Sequence, residues 1–377
     1  MGVGIFYLPQ IGVSNEWQRP ADWLSMPNNI TSADQIFVGL HAVFESGQNY
    51  CAFSFTTSTG QYKVDWGDGN VTLHNSGTIA QKNYDYASIS NSTICSRGYK
   101  QVIIKVTPVS GNLLTCNFQQ RFVTTPAQNQ AYSSGFLECI LSMPNTISGG
   151  SIIFGGGTIR HAYCEKVDIK TIGNATNMTN MFYSCFSLQS VPLFNTQNVT
   201  NMQNMFTSCY SLQSVPLFNT INVTNMTYMF QNCYSLQSVP LFNTQNVTIM
   251  QNMFYNCTSL QSVPLFNTQN VTNMQSMFSS CISLNFIPNF NTALVTNFTN
   301  FANGCNSLDR CITVFRNSVG LQNCQLSKDA LVEVFTNLVN RTATTSATID
   351  ITGNWGATAL TSANRLIATN KKWTITG

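Results

Sequence analysis

One phrase of apolar and polar residues repeats along the middle of the chain with a period of 24 residues. Its clearest marker is the cysteine in each copy, at Cys185, Cys209, Cys233, Cys257, Cys281 and Cys305. The copies run from Asn174 to Leu308, and the last is degenerate, with Phe298 and Phe301 in place of methionines. A constant period of this kind predicts a solenoid, whose turns bury one continuous core and whose end copies diverge to cover it.

Within one copy, the pattern predicts a short helix followed by a strand. The i, i+3, i+4, i+7 stripe of an amphipathic helix is formed by Met202, Met205, Phe206 and Cys209. Thr200 with Gln203 predicts a capping box at the helix start. The apolar spacing of a strand follows at Leu212, Val215 and Leu217. Proline cannot donate to a ladder, so Pro216 either removes a bond from each rung or ends the strand at Val215.

Stacking turns this period into columns, because equivalent residues of successive turns lie about 4.8 Å apart. Methionine, phenylalanine, cysteine and leucine columns are expected in the core, and asparagine columns can exchange amide hydrogen bonds. The residues after each cysteine and after each Met-Phe pair vary between copies, which predicts that they face outward. The candidate binding stripe is Tyr183, Phe186, Tyr210, Gln231, Tyr234 and Tyr255. It suits a neutral sugar; the alternative is a stripe that only tolerates aromatics or packs on a neighbouring subunit.

The cysteine column is interpreted as packing. A disulfide requires a specific Cβ geometry, and the repeats contain neither a Cys-x-x-Cys pair nor a histidine. We therefore predict no metal and no cofactor there. The chain has 13 cysteines and its start lacks the basic and long apolar regions of a signal peptide, which predicts reduced thiols and synthesis in the cytosol.

Charge is excluded from the repeats: residues 174–308 contain no Asp, Glu, Lys or Arg. The net charge of the whole chain is only +3, so no basic surface for nucleic acid is expected. An apolar run of about 20 residues, as a membrane span requires, is also missing.

The N-terminal third predicts a different fold. Residues 28–135 contain short alternating strands, and Gly67-Asp68-Gly69 after Trp66 is a hairpin signal, so we expect a β-sandwich. Asp65 and Asp68 are interpreted as ordering this turn, with a calcium site as the alternative.

Three further segments flank these two regions. Residues 1–27 either anchor the chain in a larger assembly or fold back on their own domain, and the candidate anchor is Phe6, Tyr7, Leu8, Trp17 and Trp23. Residues 136–173 are predicted to form a degenerate capping repeat. Residues 309–377 are predicted to cap the other end, with helices from Ser327 and Ser362 and strands near Thr348 and Trp373.

Catalytic patterns are missing from the sequence. Its three histidines are scattered, and G-x-S-x-G, H-E-x-x-H and phosphate-binding loop motifs do not occur. We therefore predict that the protein is not an enzyme.

The repeat phrase Asn-Val-Thr-Asn-Met-x-x-Met-Phe-x-x-Cys-x-Ser-Leu-x-Ser-Val resembles the BspA-type leucine-rich repeat of bacterial surface proteins across 174–308. Where that family has Asp-Leu-Ser, this chain has Pro-Leu-Phe. The stretch Val64-Asp-Trp-Gly-Asp-Gly resembles a PKD-type immunoglobulin-like module. The order of segments, from Arg19-Pro-Ala-Asp-Trp-Leu to the ending Lys-Lys-Trp-Thr-Ile-Thr-Gly, is similar to tail-fibre-like and other virion proteins of tailed phages.

These resemblances imply an α+β chain, with a PKD-like sandwich followed by a leucine-rich-repeat-like α/β solenoid. They imply a virion protein that displays a neutral solenoid for host-surface recognition, held by other virion proteins through its N-terminal segment. A host glycan or protein and a homo-oligomer are the further partners expected. The alternative is a capsid or tail decoration protein whose repeats pack on other subunits without a ligand.

Overall fold

The computed structural model of the chain describes residues 17–45, 49–120, 122, 135–155, 163–341 and 346–377. The N-terminal strands are β1 Ile36–Val43, β2 Tyr50–Thr57, β3 Gln61–Asp65, β4 Val71–Asn75, β5 Ile79–Asn83, β6 Lys100–Pro108, β7 Leu113–Asn117 and β8 Phe136–Ser142. Two connecting strands follow, β9 Ile152–Ile153 and β10 Lys166–Thr171. The C-terminal elements are β11 Phe286–Ile287, β12 Arg310–Cys311, β13 Val319–Gly320, α1 Lys328–Asn337, β14 Ala347–Asp350, α2 Ser362–Thr369 and β15 Trp373–Thr376. Single turns of 3-10 helix cover Tyr86–Ser88, Asn91–Thr93 and Ala357–Ala359.

Both sheets of the N-terminal sandwich continue into the solenoid. One sheet has the order β10-β8-β1-β6-β3-β4 and the other β5-β2-β7-β9. Pairing is antiparallel inside the sandwich and becomes parallel at β8–β10 and at β7–β9. Parallel bridges then link Ser151 to Asn177 and Asn177 to Asn201, and continue coil by coil to Asn297. The sandwich therefore acts as the N-terminal cap of the stack, and β8, inside the predicted capping repeat, pairs directly with β1.

One continuous apolar core runs through the sandwich, the repeats and the C-terminal part, from Phe37 to Trp373. Its centre is a column of phenylalanine rings whose consecutive centroids lie 5.3 to 5.8 Å apart. The column comprises Phe118, Phe154, Phe182, Phe206, Phe230, Phe254 and Phe278. Since the first ring belongs to the segment after β7, the sandwich and the solenoid share one core.

Several local predictions are confirmed. Strands β3 and β4 form the expected hairpin, with Asp65 paired to Val71. At the other end α1 begins after the N-cap Ser327, whose hydroxyl accepts a hydrogen bond from the Ala330 amide, and α2 begins with a capping box. The predicted strands near Thr348 and Trp373 are β14 and β15.

The helix predicted inside each repeat is wrong, and so is its capping box. Met205 donates to the Met202 carbonyl at 3.2 Å, as in a tight turn, but the Met202 amide donates to Asn225 of the next coil at 3.1 Å. Thr200 does not cap: its hydroxyl donates to Thr176 in the preceding coil at 3.3 Å. Among the described residues α-helix is confined to α1 and α2, so the chain is mostly β and its array is a β-type solenoid.

Left-handed residues explain why this segment coils without becoming a helix. Asn204 and Ser208 have φ of 55° and 61°, and the same two places in neighbouring coils are also left-handed. One such residue in every four reverses the helical twist, so the backbone forms consecutive turns that bond alternately within the coil and to the next coil. Four-residue turns place Met, Phe and Cys on one side at the same spacing as a helix, which is why the apolar pattern could not distinguish the two.

The predicted strand of each repeat is short. In the second copy, its backbone makes two hydrogen bonds to the preceding coil. Ser211 and Gln213 donate to the preceding coil at 3.1 Å each. At Pro216 the backbone turns, with the Phe218 amide donating to the Pro216 carbonyl at 2.9 Å. The interpretation of Leu217 as part of the buried strand is wrong, since its side chain is 59% exposed.

The left-handed turns can be tested at Asn252. Its φ is 53°, and its buried side-chain oxygen has no hydrogen-bond partner among the described residues. Asn252→Ala should lower the free energy of unfolding by about 1 kcal/mol, because alanine is strained in this conformation. Asn252→Gly should cost little or stabilise, because glycine adopts positive φ freely and the unpaired oxygen is removed. Denaturant titration of both variants measures this, and equal losses in the two would contradict the assignment.

Candidate functional site

The first outward feature of the array is the aromatic ridge, formed by Phe186, Tyr210 and Tyr234. These half-buried rings follow the cysteine in three successive coils, and their centroids are 4.4 and 4.7 Å apart with interplanar angles of 4° and 19°. Stacked rings at this distance cover each other's faces. The ridge therefore presents mainly ring edges and tyrosine hydroxyls, rather than the open ring faces that sugar stacking would use.

The other members of the predicted stripe occupy a different phase. Tyr183, Gln231 and Tyr255 lie two residues before the cysteines and are half-buried. Thr207, at the same phase, is buried, and its hydroxyl donates to the Tyr228 carbonyl of the next coil at 2.6 Å. The structure thus stacks only the residues after the cysteines into a ridge.

The second feature is a groove, which sequence reasoning missed. It has a volume of about 650 Å³ and is lined by Asn145, Thr146, Ile147, Ser148, Asn174, Thr176, Asn198, Thr200 and Asn222. We call it the amide groove. The turn at 145–148 belongs to the N-terminal cap, and the other residues belong to the first coils. The sequence signal was the Asn-x-Thr phrase, whose two polar residues flank a buried valine and so face the same side.

Hydrogen bonds hold the asparagines of the amide groove in place. Asn198 Nδ2 donates to Asn174 Oδ1 at 3.2 Å, and Asn222 Nδ2 donates to the Gln197 carbonyl at 2.7 Å. Each amide carries two N–H donors and an oxygen acceptor, so one bond leaves capacity for a ligand. The wall therefore offers donors and acceptors of fixed position and carries no charge.

The two N-terminal tryptophans that the structure describes, Trp17 and Trp23, contact their own chain. Trp23 is 3% exposed, packs with Tyr99 and Leu137, and donates from Nε1 to the Tyr99 hydroxyl at 3.1 Å. Trp17 donates to Glu165 at 3.1 Å. Trp23 is therefore part of the core of its own chain, as the fold-back alternative expects, whereas Trp17 is half-buried and its role as an anchor stays a prediction. Phe6, Tyr7 and Leu8 lie outside the described residues.

Asp65 and Asp68 order the hairpin turn, as interpreted from the sequence. Asp65 accepts from the Gly67 amide at 3.0 Å, and Asp68 accepts from the Asn70 amide at 3.1 Å. Asp68 also pairs with Lys82 at 2.5 Å. Across the part of the chain that the structure describes, no group of three or more His, Cys, Asp or Glu side chains is arranged to hold a metal.

The cysteine column contributes packing and, from the second coil onward, a weak hydrogen bond in each coil. Cys233 is fully buried, and its Sγ donates to the Phe206 carbonyl of the preceding coil at 3.1 Å. Cys209, Cys257, Cys281 and Cys305 make the same bond at 3.0 to 3.1 Å. Burial raises the pKa of Cys281 to about 12 and that of Cys233 well above its ordinary range. These thiols are therefore not poised as nucleophiles or ligands.

Comparison with known proteins supports the repeat type. Residues 159–264 and 235–323 match the family described as "Mycoplasma protein of unknown function, DUF285". This match covers the whole array, though less than half of the chain, and supports the predicted BspA-type repeat. A search of curated proteins gave no match.

Among solved structures, the chain is similar to a leucine rich cell surface protein from Faecalibacterium prausnitzii A2-165. The identity is 16%, and the alignment covers 63% of this chain and 63% of that protein at a TM-score of 0.30. In the described part of this chain, no helix has the length and apolar character needed to cross a membrane.

Thiol accessibility tests the packing role of the cysteines. All 13 are buried and free in the structure, so a thiol reagent at mildly alkaline pH should leave the folded chain unlabelled and label every cysteine in denaturant. In the repeats, burial raises the pKa of thiols such as Cys233 and Cys281, which keeps their reactive thiolate scarce in the folded state. Chelators and reductants should leave the melting temperature unchanged. Rapid labelling of the folded protein, or bound zinc found by elemental analysis, would overturn the packing assignment.

Proposed function

We propose that the chain is a non-enzymatic virion protein of the adhesin type, whose solenoid recognises a neutral partner on a host surface. The observation that carries this proposal is the uncharged, periodic exterior of the array on a continuous core. Its virion location is supported by the similarity of its segment order to tail-fibre-like proteins. In this proposal, residues 1–16 are the segment that attaches the chain to other virion proteins.

A stacked core makes the array suitable for recognition. Because every coil is bonded to its neighbours, the outward side chains stand on a backbone that does not need to be ordered on binding, which lowers the entropic cost. The ligand must supply hydrogen-bonding groups rather than charge. The amide groove is a concave place where such groups converge, and neutral sugars, with several hydroxyls, match it.

The aromatic ridge is the second contact surface of the proposal. Its ring edges and hydroxyls can contact a sugar or a protein, but its interior ring faces are occupied by each other. The alternative function, a decoration protein whose repeats pack on other subunits, is favoured by a line of exposed leucines described below.

The groove is tested by two matched variants. Asn222 in the groove and Asn270 outside it each donate to the coil before at 2.7 Å, so their replacement by alanine removes the same internal bond. Asn222→Ala should weaken binding to a neutral glycan or to host cells by about tenfold, the cost of roughly one lost hydrogen bond. Asn270→Ala should bind like the parent. Glycan arrays and cell adsorption measure both, and equal effects would exclude the groove.

Salt dependence is an independent test of the same proposal. Binding should change little between low and high salt, since the array has no charged residues and releases no counterions. Binding only to acidic glycans, or binding that falls steeply with salt, would rule out a neutral ligand on the array.

A further inference from the structure

Four leucines form a line on the surface of the array, which we call the leucine ridge. Leu193, Leu217, Leu241 and Leu265 are 65%, 59%, 60% and 59% exposed. They share one phase of four successive coils. Their contiguous apolar patch is on the order of a few hundred Å², the size at which exposed patches usually mark an interaction site.

The Pro-Leu-Phe turn places these leucines outside. Pro216 lacks the N–H that would bond to the preceding coil, and the Phe218 amide donates back to the Pro216 carbonyl at 2.9 Å. Leu217 is therefore at the apex of the turn, while Phe218 enters the core and is 2% exposed. One period before Leu193, the regular strand β10 keeps Ile169 buried at 4%.

The turn itself does not require leucine. In the fifth copy Asn289 occupies the apex and is exposed, and the same bond closes the turn, from the Phe290 amide to the Pro288 carbonyl at 3.0 Å. A polar residue thus fits this position without changing the backbone. The four leucines contribute little to the fold of their own chain, so their apolar surface is available for a partner.

We propose that the leucine ridge is the interface between two copies of this chain. A partner must offer apolar groups at the rung spacing of about 4.8 Å, and a second array does so by its own period. Around a twofold axis between the second and third of these coils, Leu217 faces Leu241 of the partner subunit, and Leu193 faces Leu265. Asn289 and the buried Ile169 end the ridge on either side, so this is the register in which all four leucines of each copy are paired.

Charge agrees with a second copy as the occupant, and area requires that it contact more than the leucines. Residues 174–308 carry no charge, so two identical surfaces meet without like-charge repulsion. A standard interface buries about 800 Å² per partner, more than four leucines provide. The remainder must come from the neighbouring serine, glutamine and asparagine columns, whose neutral side chains are less costly to desolvate than ions. This inference needs no ligand and stands apart from the proposed recognition function.

Sedimentation of the full chain over a range of micromolar concentrations tests the interface. The parent should be a dimer. The double variant Leu217→Gln with Leu241→Gln should dissociate, with a dimer dissociation constant at least tenfold larger than that of the parent. The matched control replaces two exposed apolar residues elsewhere, Leu73→Gln with Ile282→Gln, which are 55% and 44% exposed. It should remain dimeric. A monomeric parent, or a ridge variant that associates like the control, would overturn the proposal.

Crosslinking tests the register directly. All native cysteines are buried, so Leu217→Cys and Leu241→Cys, made in separate chains and mixed, each add one exposed thiol without an intrachain partner, and mild oxidation should link the two chains by a disulfide in high yield. Leu73→Cys should give little. The expected melting temperature of each variant is that of the parent, which separates interface from folding effects. Absence of the linked dimer, or the same yield at Leu73, would exclude facing ridges.

Discussion

Hydrogen bonding between successive coils is the constraint on which the rest of the molecule depends. Met202 and Phe206 donate to residues 23 positions later, and this repeats through the array. Each side chain therefore lies directly above its equivalent in the next coil. A residue type at one position of the 24-residue phrase therefore recurs in successive coils. It forms a column of core phenylalanines, of thiols, of amides or of exposed leucines. A change in the length of one copy would break every column at once, because all of them share the same register.

The sequence identified the period and most of the core residues. It did not identify the backbone conformation between the buried positions. Met205, Phe206 and Cys209 are buried as predicted. The helix was wrong because apolar spacing reports which residues share a side, and a chain of four-residue turns shares that spacing. The distinguishing signal is polar: residues that tolerate left-handed φ, mostly asparagine and serine, occupy two places four residues apart, such as Asn204 and Ser208.

Long-range contacts account for what the sequence could not predict at the site. Pro216 predicted either a lost bond in each rung or a strand end at Val215, but the outward turn of Leu217 depends on the bond from the Phe218 amide back to the Pro216 carbonyl. The amide groove exists because the 145–148 turn lies beside the first coils, a contact that no local pattern encodes. An apolar Trp23 is expected whether residues 1–27 anchor the chain or fold back on it. Only the packing of Tyr99 and Leu137 around Trp23 shows that this residue folds back.

The ends of the stack explain how an uncharged solenoid can stay a defined length. Each open end of a parallel stack presents unpaired backbone groups that another stack could extend. Here β9 and β10 join one end to a closed sandwich, and β13–β15 with α1 and α2 cover the other. All charged residues lie in these end regions, where they oppose end-to-end growth. Lateral contact along the neutral array is not opposed in this way, which agrees with the proposed interface at the exposed leucines.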